Sequence, residues 1–325
     1  MSFIKMSFFI LKLSVTVGLI WLVLSKVDLA PLEMRFTSLQ TGPVAAALVI
    51  LLGQLVLTGI RWYLVAHILG INIKLGLATQ LSLVGQFFNQ VLPSSVGGDG
   101  VRAWLLSREG IPVRRALISV VCDRVTALVL LVVMVAVILP VFILCYGWEI
   151  FPSAQVLAIG IGAASLSGLL CLFFGGGALA AKLMHFPAGR PLAVLFRDLR
   201  LVLFSSKKSL WVVLLSIVVQ ILVIASVFFL AMAMQVKLGT VQLLMLPLIL
   251  LLSSIPISFA GWGLRESTMV IGLGFVGVSA SDALAISVSF GLGQLVIGLP
   301  GLILSALLVY GRKKNLVQSP IVPVK

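Results

Sequence analysis

Residues 92–102 read LPSSVGGDGVR, and residues 255–265 read IPISFAGWGLR. The two stretches share Pro93/Pro256, Ser95/Ser258, Gly98/Gly261, Gly100/Gly263 and Arg102/Arg265, each pair 163 positions apart. The register runs back without a gap to Lys74-Leu75-Gly76 and Lys237-Leu238-Gly239, for ten identities over the 29 positions 74–102. Leucine matches mean little in so apolar a chain, but Lys, Pro, Gly and Arg held in one register mark an internal repeat. Each copy closes an apolar run, 76–92 or 240–257, of about 17 residues, the lower limit for a membrane-crossing helix. Proline lacks the N–H that a helix interior needs and glycine loosens the backbone, so both runs are expected to break there. Paired short, interrupted segments in two halves of a chain point to a binding site between them.

The surrounding sequence fits this reading. Of 325 residues, 61% are apolar and 10% charged, with a mean hydropathy of +1.25. A soluble domain has roughly 45–50% apolar and about 25% charged residues. The fold class expected is an all-α polytopic membrane protein of one domain, 1–325. Full spans are expected near 8–25, 43–66, 125–146, 154–174, 210–234 and 284–310. The segments 76–92 and 240–257 are read as re-entrant or half-crossing helices, with eight full crossings the alternative. The first half, 1–150, holds the motif 89–102; the second, 151–314, holds 255–266; the tail 315–325 is expected to be disordered. The basic, apolar N-terminus has no small-residue cleavage site and reads as a retained span rather than a signal peptide.

Charge orients the chain. With the N-terminus cytoplasmic and both broken segments returning to their side of entry, 19 of 23 Lys/Arg face the cytoplasm. Lys26, Arg35, Lys237 and Arg265 fall outside. Both termini are then cytoplasmic, and the net charge of +14 reflects topology rather than nucleic-acid binding. Three spans lie between the motifs, so the copies enter from opposite faces as an inverted repeat. The basic stretch 178–208 reads either as an amphipathic helix on an anionic leaflet or as a loop that only sets topology. Residues 27–40 fit a short interfacial helix on the other face.

Within the motifs, Ser94, Ser95 and Asp99 are N-cap candidates for a helix over about 100–109. Gly97, Gly98, Gly261 and Gly263 permit close backbone approach. A helix N-terminus favours anions, and Arg102 or Arg265 adds a fork suited to phosphate. The second copy has Trp262 in place of Asp99 and adds Glu266. Either these ends coordinate a phosphorylated lipid headgroup, or they are kinks whose arginines snorkel to the interface; the shared register favours the first. Asp123-Arg124 opens the third span, as part of the site or as an interfacial anchor. Gln86, Asn89 and Gln90 are cavity-lining candidates, with Gln220 and Gln294 weaker ones. Arg61-Trp62-Tyr63 reads equally well as an interfacial belt, and Asp282 as a solvated cap. Cys122, Cys145 and Cys171 are isolated, and no His/Cys/acid cluster, nucleotide loop or catalytic constellation appears, so no metal, cofactor or enzymatic activity is expected.

The run Gly85–Arg124 resembles the transmembrane region of lysylphosphatidylglycerol synthases, a flippase-like integral membrane family. The resemblance is carried by Asn89-x-x-Leu92-Pro93, Gly97-Gly98-Asp99-x-x-Arg102, the later Asp123-Arg124, and Pro256…Gly261-x-Gly263-x-Arg265-Glu266. It implies a lipid translocator of a bacterial inner membrane, like the part of the full-length synthases that moves aminoacylated phosphatidylglycerol between leaflets; the repeat itself adds Ser95 and Ser258 and points to an anionic phospholipid or polyprenyl-phosphate-type lipid. The alternative is a non-catalytic membrane subunit or accessory protein of envelope lipid or glycolipid modification; besides the membrane lipid, the partners open to the chain are further copies of itself in a homo-oligomer or a lipid-modifying enzyme. Only a short tail follows Arg312-Lys313-Lys314, so the soluble synthase domain is expected to be missing, and its activity is not carried over.

Overall fold

Prolines and glycines at the two repeated motifs should end one helix and start another, and they do. The structure is a computed structural model that describes residues 3–25, 29–94, 96–146 and 189–317. Among them lie α1 (Phe3–Leu24), α2 (Leu29–Thr37), α3 (Thr41–Ile68), α4 (Leu75–Val91), α5 (Gly97–Ser107) and α6 (Val113–Tyr146). They continue with α7 (Arg190–Phe204), α8 (Lys207–Ala233), α9 (Thr240–Ser253), α10 (Leu264–Gly274) and α11 (Ala280–Val317).

Four of these are long and apolar enough to cross a bilayer: Thr41–Ile68, Val113–Ile138, Lys207–Ala233 and Ala280–Val309. Large apolar side chains such as Val49, Trp211, Ile303 and Leu307 stand exposed on their outer faces. In water such a belt would drive aggregation; in lipid it is the ordinary surface. The expected first span falls on α1, while the span at 154–174 and the tail beyond Val317 lie outside the described residues.

Neither broken segment crosses as one helix. Leu92 is extended ahead of Pro93, as a residue before proline must be, and ends α4. After the turn, α5 runs back along α4: Gly98 meets Gly85 and Asn89, and Arg102 lies against Gly85. The second copy does the same, Gly272 of α10 facing Ile249 of α9 while the Ser253 and Thr268 hydroxyls meet at 2.6 Å. Each copy is thus an antiparallel helical hairpin that returns the chain to the end of the bundle it left.

The 163-residue offset carries α3–α6 onto α8–α11, so the repeat is four helices long in each half. The equivalent helices α3 and α8 pack antiparallel. The N–H of Gln40, before α3, donates to Ala233 O at the end of α8 (2.9 Å). Ala47, Leu51 and Leu55 share a core with Val227, Leu230 and Met234, while Val65 meets Val212 at the other end. Equivalent helices pointing in opposite directions make the repeat inverted. α4 packs on α11 through Gly298 and Gly301, whose missing side chains admit Phe87 and Leu83.

The remaining helices close the ends. The segment 27–40 does hold a short helix, α2, which packs on α11. Its Arg35 pairs with Asp282 (2.7 Å) and donates to Met234 O (3.0 Å), so Asp282 is not a solvated cap but a tie between α2 and α11. In the basic stretch, the described part forms α7, which buries Ala193, Leu199 and Val202 against the bundle. Its apolar side therefore serves the protein core, and Arg197 and Arg200 face outward.

Candidate functional site

Helices α4 and α5 place Asn89, Asp99 and Arg102 on facing sides of the first hairpin. α6 begins at Val113, ten residues before Asp123, so Asp123-Arg124 does not open the span; both sit well inside a helix. A hydropathy reading starts the span after the charged run Arg114-Arg115 and Asp123-Arg124, whereas backbone hydrogen bonding carries through it. Asp123 is 2% exposed and accepts from Arg61 Nε (2.9 Å) and Arg102 Nη2 (3.4 Å). Arg102 also donates to Asp99 (3.2 Å) and stacks on Trp62, its guanidinium carbon 4.2 Å from the ring centre. Arg124 Nη1 stands 3.4 Å from Asp99 Oδ2 without hydrogen-bond geometry, its side chain 39% exposed.

Helices α3, α5 and α6 are thereby tied together by three guanidinium groups and two carboxylates. Removing such charges from water costs several kcal/mol each, repaid only when the groups are paired. The cluster includes Arg61 and Trp62, both buried, so this stretch is not an interfacial belt. The signal that would have found Arg61 is its place inside the apolar span 43–66, where an ionised side chain demands a partner.

The second hairpin solves the same problem locally. Arg265 donates through Nε (3.0 Å) and Nη2 (2.8 Å) to Glu266 Oε1 and stacks on Trp262 at 4.6 Å. Gly291 of α11 leaves the room the guanidinium occupies; a side chain there would strike Arg265. Glu266 also accepts from the Gly263 N–H (2.6 Å) and the Ser287 hydroxyl (3.3 Å). Gly261 and Gly263 take φ of +82° and +84°, a conformation that favours glycine. From α1, Thr16 Oγ1 accepts from the Phe259 N–H (2.7 Å) and holds the turn.

Two expectations about the helix ends are corrected. Neither Ser94 nor Asp99 caps α5; Val96 is the N-cap and makes no side-chain cap bond. The Gly98 N–H instead donates to Asn89 Oδ1 (2.8 Å), across the turn. With the Gly263 N–H likewise held by Glu266, these amides already have partners, and Arg102 and Arg265 are not open forks but buried, carboxylate-paired groups.

The two turns converge on polar space. One cavity of about 280 Å³ is lined by Arg61, Asp99, Arg102, Asp123 and Arg124 together with Gln86, Asn89, Gln220 and Gln294. An adjoining one of about 220 Å³ is lined by Asn89, Gln90, Arg124, Gly261, Arg265 and Gln294. They share Gln86, Asn89 and Arg124 from the first half and Leu250, Ser254, Phe290 and Gln294 from the second. Gln90 Nε2 donates to Gln294 Oε1 (2.7 Å), joining the halves.

Of the residues singled out by sequence, the cavities gather Asn89, Asp99, Arg102, Asp123, Arg124, Gly261 and Arg265. Pro93, Gly97, Gly98, Pro256 and Gly263 shape the turns without lining either cavity, and Glu266 stands behind Arg265. Ser258 is buried away from both, and Ser95 lies outside the described residues.

Comparison with known proteins agrees with the geometry. Residues 9–301 match the family model described as lysylphosphatidylglycerol synthase TM region. No curated protein matches the chain.

Proposed function

The chain belongs to the lysylphosphatidylglycerol synthase transmembrane-region family, and from that premise we propose that it is a lipid translocator. Its substrate is an anionic, phosphate-bearing lipid, a phospholipid or a polyprenyl-phosphate-type lipid, whose headgroup passes between the hairpin turns while its tails stay in the bilayer. The observation that carries this reading is the polar space shared by the two turns of an inverted repeat, lined from both halves inside an apolar bundle. Inverted repeats with broken helices let two gates alternate around one central site.

Charge supports the class of substrate. The larger cavity presents Arg61, Arg102 and Arg124 against Asp99 and Asp123, an excess of one positive charge. Arg124 is the half-exposed member, placed to meet a phosphate. We read the protein as non-enzymatic, because Asp99, Asp123 and Glu266 are each engaged by arginine and so ill-suited to proton transfer. We place it in a bacterial inner membrane from the family it belongs to, and both termini in the cytoplasm from the distribution of its basic residues. The locked state of Arg102 and Arg265 favours one second reading, a static accessory subunit of lipid modification.

Reconstitution in liposomes separates the two. The translocator reading predicts that labelled phosphate-bearing lipids reach the opposite leaflet faster than in protein-free vesicles, and that Arg124→Gln slows this at least tenfold. Vesicles whose lipids stay put across a panel of anionic headgroups would leave the accessory reading.

A further inference from the structure

We propose that the headgroup is an uncharged polyhydroxyl group joined through phosphate, and that a carboxamide wall reads its hydroxyls. This rests on the translocator reading and narrows its substrate. Beside the charged cluster, the space between the turns is walled by Gln86, Asn89, Gln90 and Gln294, with Ser253 and Ser254. A carboxamide offers two N–H donors and a carbonyl acceptor, and a hydroxyl is both donor and acceptor, so the two match without any net charge. Gln90 spends its NH₂ on Gln294 and leaves its buried Oε1 with no protein partner. A buried unpaired acceptor is unfavourable, and a hydroxyl donated by a headgroup relieves it.

The neighbouring carboxylates argue against a cationic headgroup. Asp123 is engaged by Arg61 and Arg102, Asp99 by Arg102 and Arg124, and Glu266 by Arg265. An ammonium group would enter a wall that already holds an excess of arginine, and Asp99 Oδ2, the oxygen of these three carboxylates without a hydrogen-bond donor, already faces Arg124 at 3.4 Å. A phosphodiester beside Arg124 and a polyol beside the carboxamides use both parts of the space.

The test is competitive lipid binding to the intact protein, read by native mass spectrometry with four probes. They are phosphatidylinositol, phosphatidic acid, phosphatidylethanolamine and lysylphosphatidylglycerol. Phosphatidylinositol should bind about tenfold or more tightly than phosphatidic acid, as one or two added hydrogen bonds allow. Both amine-bearing lipids should bind more weakly than phosphatidic acid. Gln294→Leu should erase the preference for phosphatidylinositol over phosphatidic acid, and Gln86→Leu serves as the second variant if the first is poorly folded. Equal binding of phosphatidylinositol and phosphatidic acid overturns the polyol assignment and leaves the anion site standing. Tightest binding of an amine-bearing lipid overturns it too. Failure of all four to bind removes the translocator reading along with it.

Discussion

The two hairpins carry one skeleton but hold their arginines differently. In the first, Arg102 is neutralised across the bundle, by Asp99 on its own helix and Asp123 on α6, which also engages Arg61 of α3. In the second, Arg265 is neutralised by the next residue in the chain, and the same carboxylate caps the helix. The first turn is short, between Val91 and Gly97; the second, between Ser253 and Leu264, is longer and bends through positive φ at Ala260, Gly261 and Gly263. The first hairpin is tied to two neighbouring helices by ion pairs, whereas the second makes its ion pair within itself and is held to α1 and α11 by hydrogen bonds to Thr16 and from Ser287.

That contrast breaks most sharply at the charges. Asp123→Ala strands Arg61 and Arg102 in the bundle and should lower stability by about 3–5 kcal/mol, the loss expected for one partner of a buried ion pair. Thermal unfolding in detergent should show it as the largest drop of the set. Gly98→Ala comes next, because its methyl would strike the backbone oxygen of Gly85. A loss of about 3 kcal/mol is expected, the upper end for overpacking. Gly100 has open space beside its Cβ position, so Gly100→Ala should cost nothing and gain about 0.5–1 kcal/mol of helix propensity.

Glu266→Gln should cost less than Asp123→Ala, about 2 kcal/mol, since one arginine is stranded and the amide oxygen still caps the Gly263 N–H. An Asp123→Ala loss no greater than that of Glu266→Gln would erase the distinction between a shared and a local neutralisation. The smallest loss is at Thr16→Val, which removes one hydrogen bond to the Phe259 N–H, about 1 kcal/mol. Hydrogen exchange should accelerate at the second turn and not at the first.

Much of this was legible before any coordinates. Ten identities in a fixed register, anchored by Pro, Gly and Arg, located both hairpins, and the odd number of intervening spans gave their opposite directions. The amide side chains just before the first motif also read correctly as cavity wall. What stayed hidden were partners without local pattern. Arg61 meets Asp123 from 62 positions away, and nothing near either residue encodes the distance. Asn89 caps Gly98 across the turn, nine residues on, where ordinary capping rules look only to the residues just before the helix. Asp282 had the same difficulty, since its partner Arg35 comes from the far end of the chain.

The central claim is that the headgroup passes between the two turns. Gln90 and Gln294 mark that passage, facing each other across the halves. In a background without Cys122, Cys145 and Cys171, Gln90→Cys and Gln294→Cys would be bridged by a short, cleavable bifunctional thiol reagent, and lipid translocation measured in liposomes before bridging, after it and after cleavage. The account predicts that translocation stops on bridging and returns on cleavage. Translocation that continues unchanged in fully bridged protein would contradict it.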